Sequence, residues 1–145
     1  MEKLQFNVRI NAKPATVWAK LWTPGSYEDW TKAFSESSRA ETDWQKGSKI
    51  LFLDGDNNGM VSRVADMIPD QWMSIEHLGL VSKGVEDTES PEIKAWAGAK
   101  ENYALKEVDH QTDLQVEVDV NDDFSSFLSE KFPKALARLK EISEA

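Results

Sequence analysis

Two histidines, one loop of alternating acids and a surplus of carboxylates are the groups in this 145-residue chain whose types and spacing invite chemistry. His77 follows Met73 and Ile75 at intervals of two, so strand alternation puts it on the face that those apolar residues turn inward. A histidine there is either satisfied by internal hydrogen bonds or turned toward a ligand as an acid, base or orienting group. His110 falls in a polar turn and is expected at the surface. No serine and carboxylate accompany either histidine at triad spacing, so acyl transfer has no visible apparatus. Carboxylates are abundant, but they fall on faces and loops that read as solvated, and no glycosidase-like pair stands out. Asp54, Asp56, Asn58 and Gly59 match the opening of an EF-hand loop, in which alternate oxygens wrap a calcium ion. The match fails at its twelfth position, Ala65, where a bidentate glutamate is required, and both flanks read as strands, so the segment is expected to be a solvated hairpin loop. The chain has no cysteine, which excludes disulfides, thiolate nucleophiles and cysteine zinc sites. No catalytic residue, metal ligand set or cofactor is expected.

The scale of the chain bounds its partners. At 145 residues it has the size of one domain, assigned to residues 1–145, and a domain of this length buries roughly 68–70% of its unfolded surface. Its formal charge of −9 repels a phosphate backbone, and its basic clusters are diluted by acids, so nucleic acid is not an expected partner. Met1 to Ile10 alternates polar and apolar residues and lacks the apolar core of a signal peptide. No later run approaches membrane-spanning length. A soluble, cytoplasmic protein without membrane insertion is expected.

The elements that must position any site follow from periodicity. Leu4, Phe6, Val8 and Ile10 alternate with polar residues as a strand with one buried face. Pro14 suits a first helical turn, with Val17, Trp18, Leu21 and Trp22 following at helical spacing. Thr23-Pro24 repeats that start signal ahead of Tyr27 and Trp30, which gives two short helices after the first strand. From Ser37 to Val120 strands and hairpins dominate. Trp44 to Gly47 reads as a turn, Ile50 to Leu53 pairs with Met60 to Met67 across a loop ending in Asn58-Gly59, and Met73 to Leu78 is a further strand. An acidic loop, Gly84 to Ser90, leads to a short helix from Pro91 that carries Ile93, Trp96 and Ala97. Tyr103 to Val108 and Leu114 to Val120 form a last hairpin turning through Asp109 to Thr112. One long helix, Phe124 to Ile142, closes the chain. Asp122 or Asp123 is expected to cap it, and Lys134, Arg138 and Lys140 to complement its negative end. Leu128, Phe132, Ala135, Leu136, Leu139 and Ile142 form its apolar stripe, which predicts burial along most of its length. Pro133 costs about 3 kcal/mol in a regular helix, which predicts a kink or a restart. The fold class is α+β, a curved antiparallel sheet whose concave face is closed by the last helix.

Six tryptophans are many for this length. Trp18, Trp22, Trp30, Trp72 and Trp96 fall on or beside elements that pack against a sheet, and Trp44 opens a turn. They build either a large aromatic core or the walls of a pocket, with His77, Tyr103 and Ser126 as polar groups that could orient a ligand.

Met73-Ser74-Ile75-Glu76-His77-Leu78-Gly79, Gly84-Val85-Glu86-Asp87, Glu101-Asn102-Tyr103-Ala104-Leu105 and Thr112-Asp113-Leu114 together resemble the bacterial proteins related to the C-terminal domain of the activator of heat-shock protein 90 ATPase. Phe132-Pro133-Lys134-Ala135-Leu136 with Leu139-Lys140 is similar to that family's closing helix, and Pro14 to Trp18 to its opening helix. The resemblance spans nearly the whole chain. It implies the START-like helix-grip (SRPBCC) fold, an antiparallel sheet curled around a long C-terminal helix, often with a hydrophobic cavity between them. Superfamily relatives bind lipids, sterols, polyketides or other apolar molecules, and some catalyse cyclisation or hydrolysis. A non-enzymatic binding domain for a small apolar or amphipathic ligand is therefore expected, with Trp30, Phe52, His77, Trp96, Tyr103, Phe127 and Phe132 as lining candidates. Two alternatives stand beside it: a stress-response interaction module modulating a heat-shock protein 90 chaperone, and a cavity enzyme using His77.

Overall fold

The computed structural model describes residues 1–145. The first strand, β1 (Glu2–Ile10), is followed by helices α1 (Pro14–Trp22) and α2 (Ser26–Thr31). Strands β2 (Arg39–Glu41), β3 (Lys49–Leu53), β4 (Gly59–Ile68), β5 (Trp72–Ser82) and β6 (Val85–Asp87) come next. A four-residue helix α3 (Pro91–Lys94), the hairpin β7 (Lys100–Val108) and β8 (Gln111–Val120), and the long helix α4 (Asp122–Glu144) complete the chain. The strands form one open, curved antiparallel sheet in the order β1-β8-β7-β5-β4-β3-β2, with β6 added beside β5. This is the α+β architecture that the pattern of elements predicts, and the helix-grip fold that the family resemblance implies.

Local chemistry explains most boundaries. Pro14 opens α1, where its missing N–H is one that no helical carbonyl would have received. The start of α2 differs from expectation: Thr23 terminates α1 and Gly25 caps α2 with a backbone φ of 92°, which only glycine adopts without steric cost. Glu28 then reaches back to the Gly25 N–H. In the β7–β8 hairpin both turn residues, Asp109 and His110, have positive φ, the pairing that matches the right-handed twist of the strands. The turn is therefore tighter than the expected Asp109 to Thr112, and His110 is exposed. In the β3–β4 loop the positive φ falls on Asn57 rather than on Asn58-Gly59. Gly59 serves another purpose, because a Cβ there would lie 1.7 Å from the Phe52 carbonyl oxygen. The Asp54 carboxylate accepts the N–H groups of Asp56 and Asn58 and so holds its own loop.

The core lies between the sheet's inner face and the helices. Leu21, Trp30, Ile50, Val64, Ile75, Val116 and Leu139 are among its fully enclosed side chains. Two extra residues, Ala65 on β4 and Leu78 on β5, interrupt the β4–β5 ladder. Each reverses which alternate residues point inward. Along β5, Met73, Ile75 and His77 face the core before the irregularity and Leu80 faces the same side after it, while Leu78 and Val81 join Leu51, Leu53 and Val61 in a small second cluster.

Helix α4 runs unbroken through Pro133, so the expected restart does not occur. Pro133 is exposed, and so is Ser129, whose carbonyl loses its usual donor at a place where water can supply one. The cap also differs, with Asn121 at the N-cap and Asp122 and Asp123 in the first turn, where their charge suits the positive end of the helix dipole. Arg138 pairs instead with Asp29 on α2, and Lys140 with Glu144. Burial along most of the helix is not observed. Phe132, Ala135, Leu136 and Leu139 are buried, but Phe124 and Phe127, on the first two turns, are 55% and 41% exposed. No helix of the chain is long and apolar enough to cross a membrane.

Candidate functional site

The site forms where β5 changes neighbours. From Trp72 to Glu76, β5 pairs with β7, and two further backbone bonds, His77 N–H to Ala99 O and Gly98 N–H to His77 O, end that ladder. Beyond it, from Leu80, β5 pairs with β6. Gly79 permits the exchange, since a Cβ there would lie 2.1 Å from the Asp87 carbonyl oxygen. The segment between β6 and β7 carries α3 across the gap. It buries Ile93 and lays the Trp96 indole parallel to the His77 imidazole, with ring centroids 5.7 Å apart.

His77 is 2% exposed and both ring nitrogens are occupied. Nδ1 lies 2.7 Å from the Ser62 hydroxyl on β4, and Nε2 lies 3.1 Å from one Glu101 oxygen on β7. The other Glu101 oxygen accepts the Tyr103 hydroxyl proton. A carboxylate that already accepts from Tyr103 favours the proton on Nε2, which leaves Nδ1 to accept from Ser62. Four residues on three adjacent strands thus form a continuous relay. Ser62 is fully buried with its hydroxyl engaged, so it presents no nucleophile to a substrate. Burial and the Glu101 charge push the Tyr103 phenol well above its usual range, and burial does the same for Tyr27. Both stay neutral, and Tyr103 remains a donor.

An apolar cleft of about 440 Å³ opens beside the relay. Its walls are Ile93 and Trp96 from the α3 segment, Met60 and Leu80 from the sheet, Val118 and Val120 from β8, and Phe124, Phe127, Leu128 and Phe132 from α4. A smaller chamber of about 130 Å³ lies deeper, among Trp22, Tyr27, Trp30, Phe34, Phe52 and Tyr103. Met60, Glu101, Leu128 and Phe132 border both spaces. Another concavity, about 550 Å³, lies on the outer face of the sheet, where the Arg9–Asp113 ion pair satisfies its own charges and the surface is solvated.

The residues singled out from the sequence are divided between these spaces. His77, Trp96, Phe127 and Phe132 line the larger cleft, while Trp30, Phe52, Tyr103 and Phe132 line the chamber. Trp30 is 1% exposed, and its indole N–H is bonded to the Leu21 carbonyl. Ser126 is exposed on α4 and lines neither space. The residues that sequence reasoning missed are Glu101, Ser62, Asn121, Met60 and Phe124. Glu101 had a signal, because alternation puts it on the inward face with Tyr103 and Leu105. Ser62 had none, since its partner is set by strand pairing.

No family model matches the sequence, and no curated protein matches it. Solved structures do. The Aha1 dimer from Colwellia psychrerythraea is 21% identical, with a TM-score of 0.76 over 99% of this chain and 97% of the other. The AHSA1-like protein from Aeromonas hydrophila is 12% identical, with a TM-score of 0.69 over 97% of this chain and 90% of that one. CalU16 from Micromonospora echinospora is 14% identical, with a TM-score of 0.68 over 97% of this chain and 75% of that one. At these identities the likeness establishes the fold.

Proposed function

Starting from the Aha1-like helix-grip fold, we propose that this chain is a non-enzymatic binding domain that takes a small apolar or amphipathic molecule into the cleft beneath the first turns of α4. One observation carries this reading. Phe124 and Phe127 stand over a concave apolar surface with no protein side chain filling the space of about 440 Å³ between them and the sheet. Ligand sites of single domains have this size and this mostly apolar lining. The relay supports binding over catalysis, because both His77 ring nitrogens are already bonded and its ring stacks on Trp96. Native mass spectrometry of the purified protein, and displacement of a fluorescent lipid by lipid and polyketide panels, test the proposal. Retained small molecules or saturable displacement are expected, and their absence across both panels removes it.

A second reading is favoured by the Aha1 neighbours and by the acidic surface of this chain: an interaction module for a heat-shock protein 90 chaperone. The ATPase rate of a purified chaperone with and without the protein decides it. An unchanged rate with no detectable complex rules it out.

A further inference from the structure

Resting on the binding reading, we infer that the cleft selects amphiphiles whose head group donates hydrogen bonds, an alkylammonium above all, and rejects carboxylates. The carboxylates of the cleft, Glu92, Glu101 and Asp119, meet no lysine or arginine on its walls.

The three acids are not equivalent. Asp119 is compensated by the Lys100 backbone N–H and by the Lys3 ammonium at 3.5 Å, and Glu92 is exposed to solvent. Glu101 is enclosed, with its side chain 17% exposed, and no lysine or arginine pairs with it. Its only donors are His77 and the Tyr103 hydroxyl. A charge in an enclosed apolar setting is felt more strongly than in water. An ammonium head supplies N–H donors and the opposite charge. A carboxylate head supplies neither and adds like-charge repulsion.

The feature that favours an anion is the positive end of the α4 dipole, which also meets the cleft. Asp122 and Asp123 already occupy that first turn. The formal charge of −9 further concentrates cations around the whole molecule.

A matched series tests the inference: decylamine, decanol and decanoate compete with the neutral probe N-phenyl-1-naphthylamine on the wild-type protein and on E101Q. Decylamine is expected to displace the probe at a concentration about tenfold below that of decanoate, ~1.4 kcal/mol, with decanol between them. E101Q is expected to narrow that gap while decanol binding persists. Decanoate binding as tightly as decylamine overturns the head-group selection and leaves the binding reading standing, whereas displacement by none of the three overturns the binding reading itself. An amine preference unchanged in E101Q overturns the role of Glu101. Where E101Q fails to fold, the ranking on the wild-type protein decides alone.

Discussion

Ser62 and His77 face each other across the β4–β5 ladder, and the serine hydroxyl meets Nδ1 at 2.7 Å in a fully enclosed setting. Their bond is one end of the chain of contacts that continues through Glu101 to Tyr103.

Removing the imidazole therefore strands two buried partners at once. His77→Phe keeps the contacts with Trp96 and Phe52 but leaves Ser62 and Glu101 each short of one bond, and is expected to destabilise the protein by about 3 kcal/mol. Ser62→Ala leaves only Nδ1 unpaired and is expected to cost about 1–2 kcal/mol. Urea denaturation measures both, and a wild-type midpoint in His77→Phe would show that the relay contributes nothing.

The two tyrosines of this chain, Tyr27 and Tyr103, are both buried with their pKa values raised. A raised pKa on an acid means that the folded state holds a proton the unfolded state releases. The stabilisation is thus fully present below the unfolded value near 10 and is lost as pH rises from there toward the folded values. Stability is expected to fall by about 1.4 kcal/mol per tyrosine for each pH unit above that point. Tyrosinate absorbance should then appear together with the loss of circular dichroism. Ionisation of either tyrosine in a protein that is still folded counts against this arrangement.

Along α4, stability and binding should separate. Phe132 is 3% exposed and stacks on Phe6 with centroids 4.9 Å apart, so Phe132→Ala is expected to cost about 3–5 kcal/mol. Phe127 is 41% exposed, and Phe127→Ala should change stability by no more than about 0.5 kcal/mol. The same change is expected to weaken displacement of a cleft-bound probe severalfold. Wild-type probe affinity in Phe127→Ala would exclude this helix turn from the binding surface.

Pro133 lies on the exposed side of an unbroken helix. Pro133→Ala restores the bond to the Ser129 carbonyl and removes the crowding of the preceding turn, and should raise the denaturation midpoint. A lower midpoint would mean that the proline's pre-set backbone angle outweighs the lost bond.

Much of this molecule is legible in its residues, and the limits are physical. Alternation located β1, β8 and the hairpins, and proline located α1 and α3, because those signals act within a few residues. The inward face of His77 followed from Met73 and Ile75 in the same way. Ser62 and Glu101 were not legible as its partners, because a register is set by three strands pairing and the strand irregularities at Ala65 and Leu78 shift parity without a sequence mark. The 3.6-residue stripe of α4 predicts burial along most of the helix, yet periodicity reports which side is apolar and not how closely the opposing surface approaches. At Phe124 and Phe127 the opposing surface recedes into the cleft instead of meeting the helix.

The order of the strands also has a consequence for the making of the protein. Glu2 pairs with Val120, Ile10 with Thr112, and the Asn11 N–H is held by Glu144, so the earliest strand finds its partner and its cover only among the last residues of the chain. A ribosome adding roughly 5–20 residues per second leaves β1 waiting for several seconds, with Phe6, Val8 and Ile10 uncovered and neither strand edge paired. During synthesis this first strand therefore stays without its native partner and cover until β8 and α4 have been made.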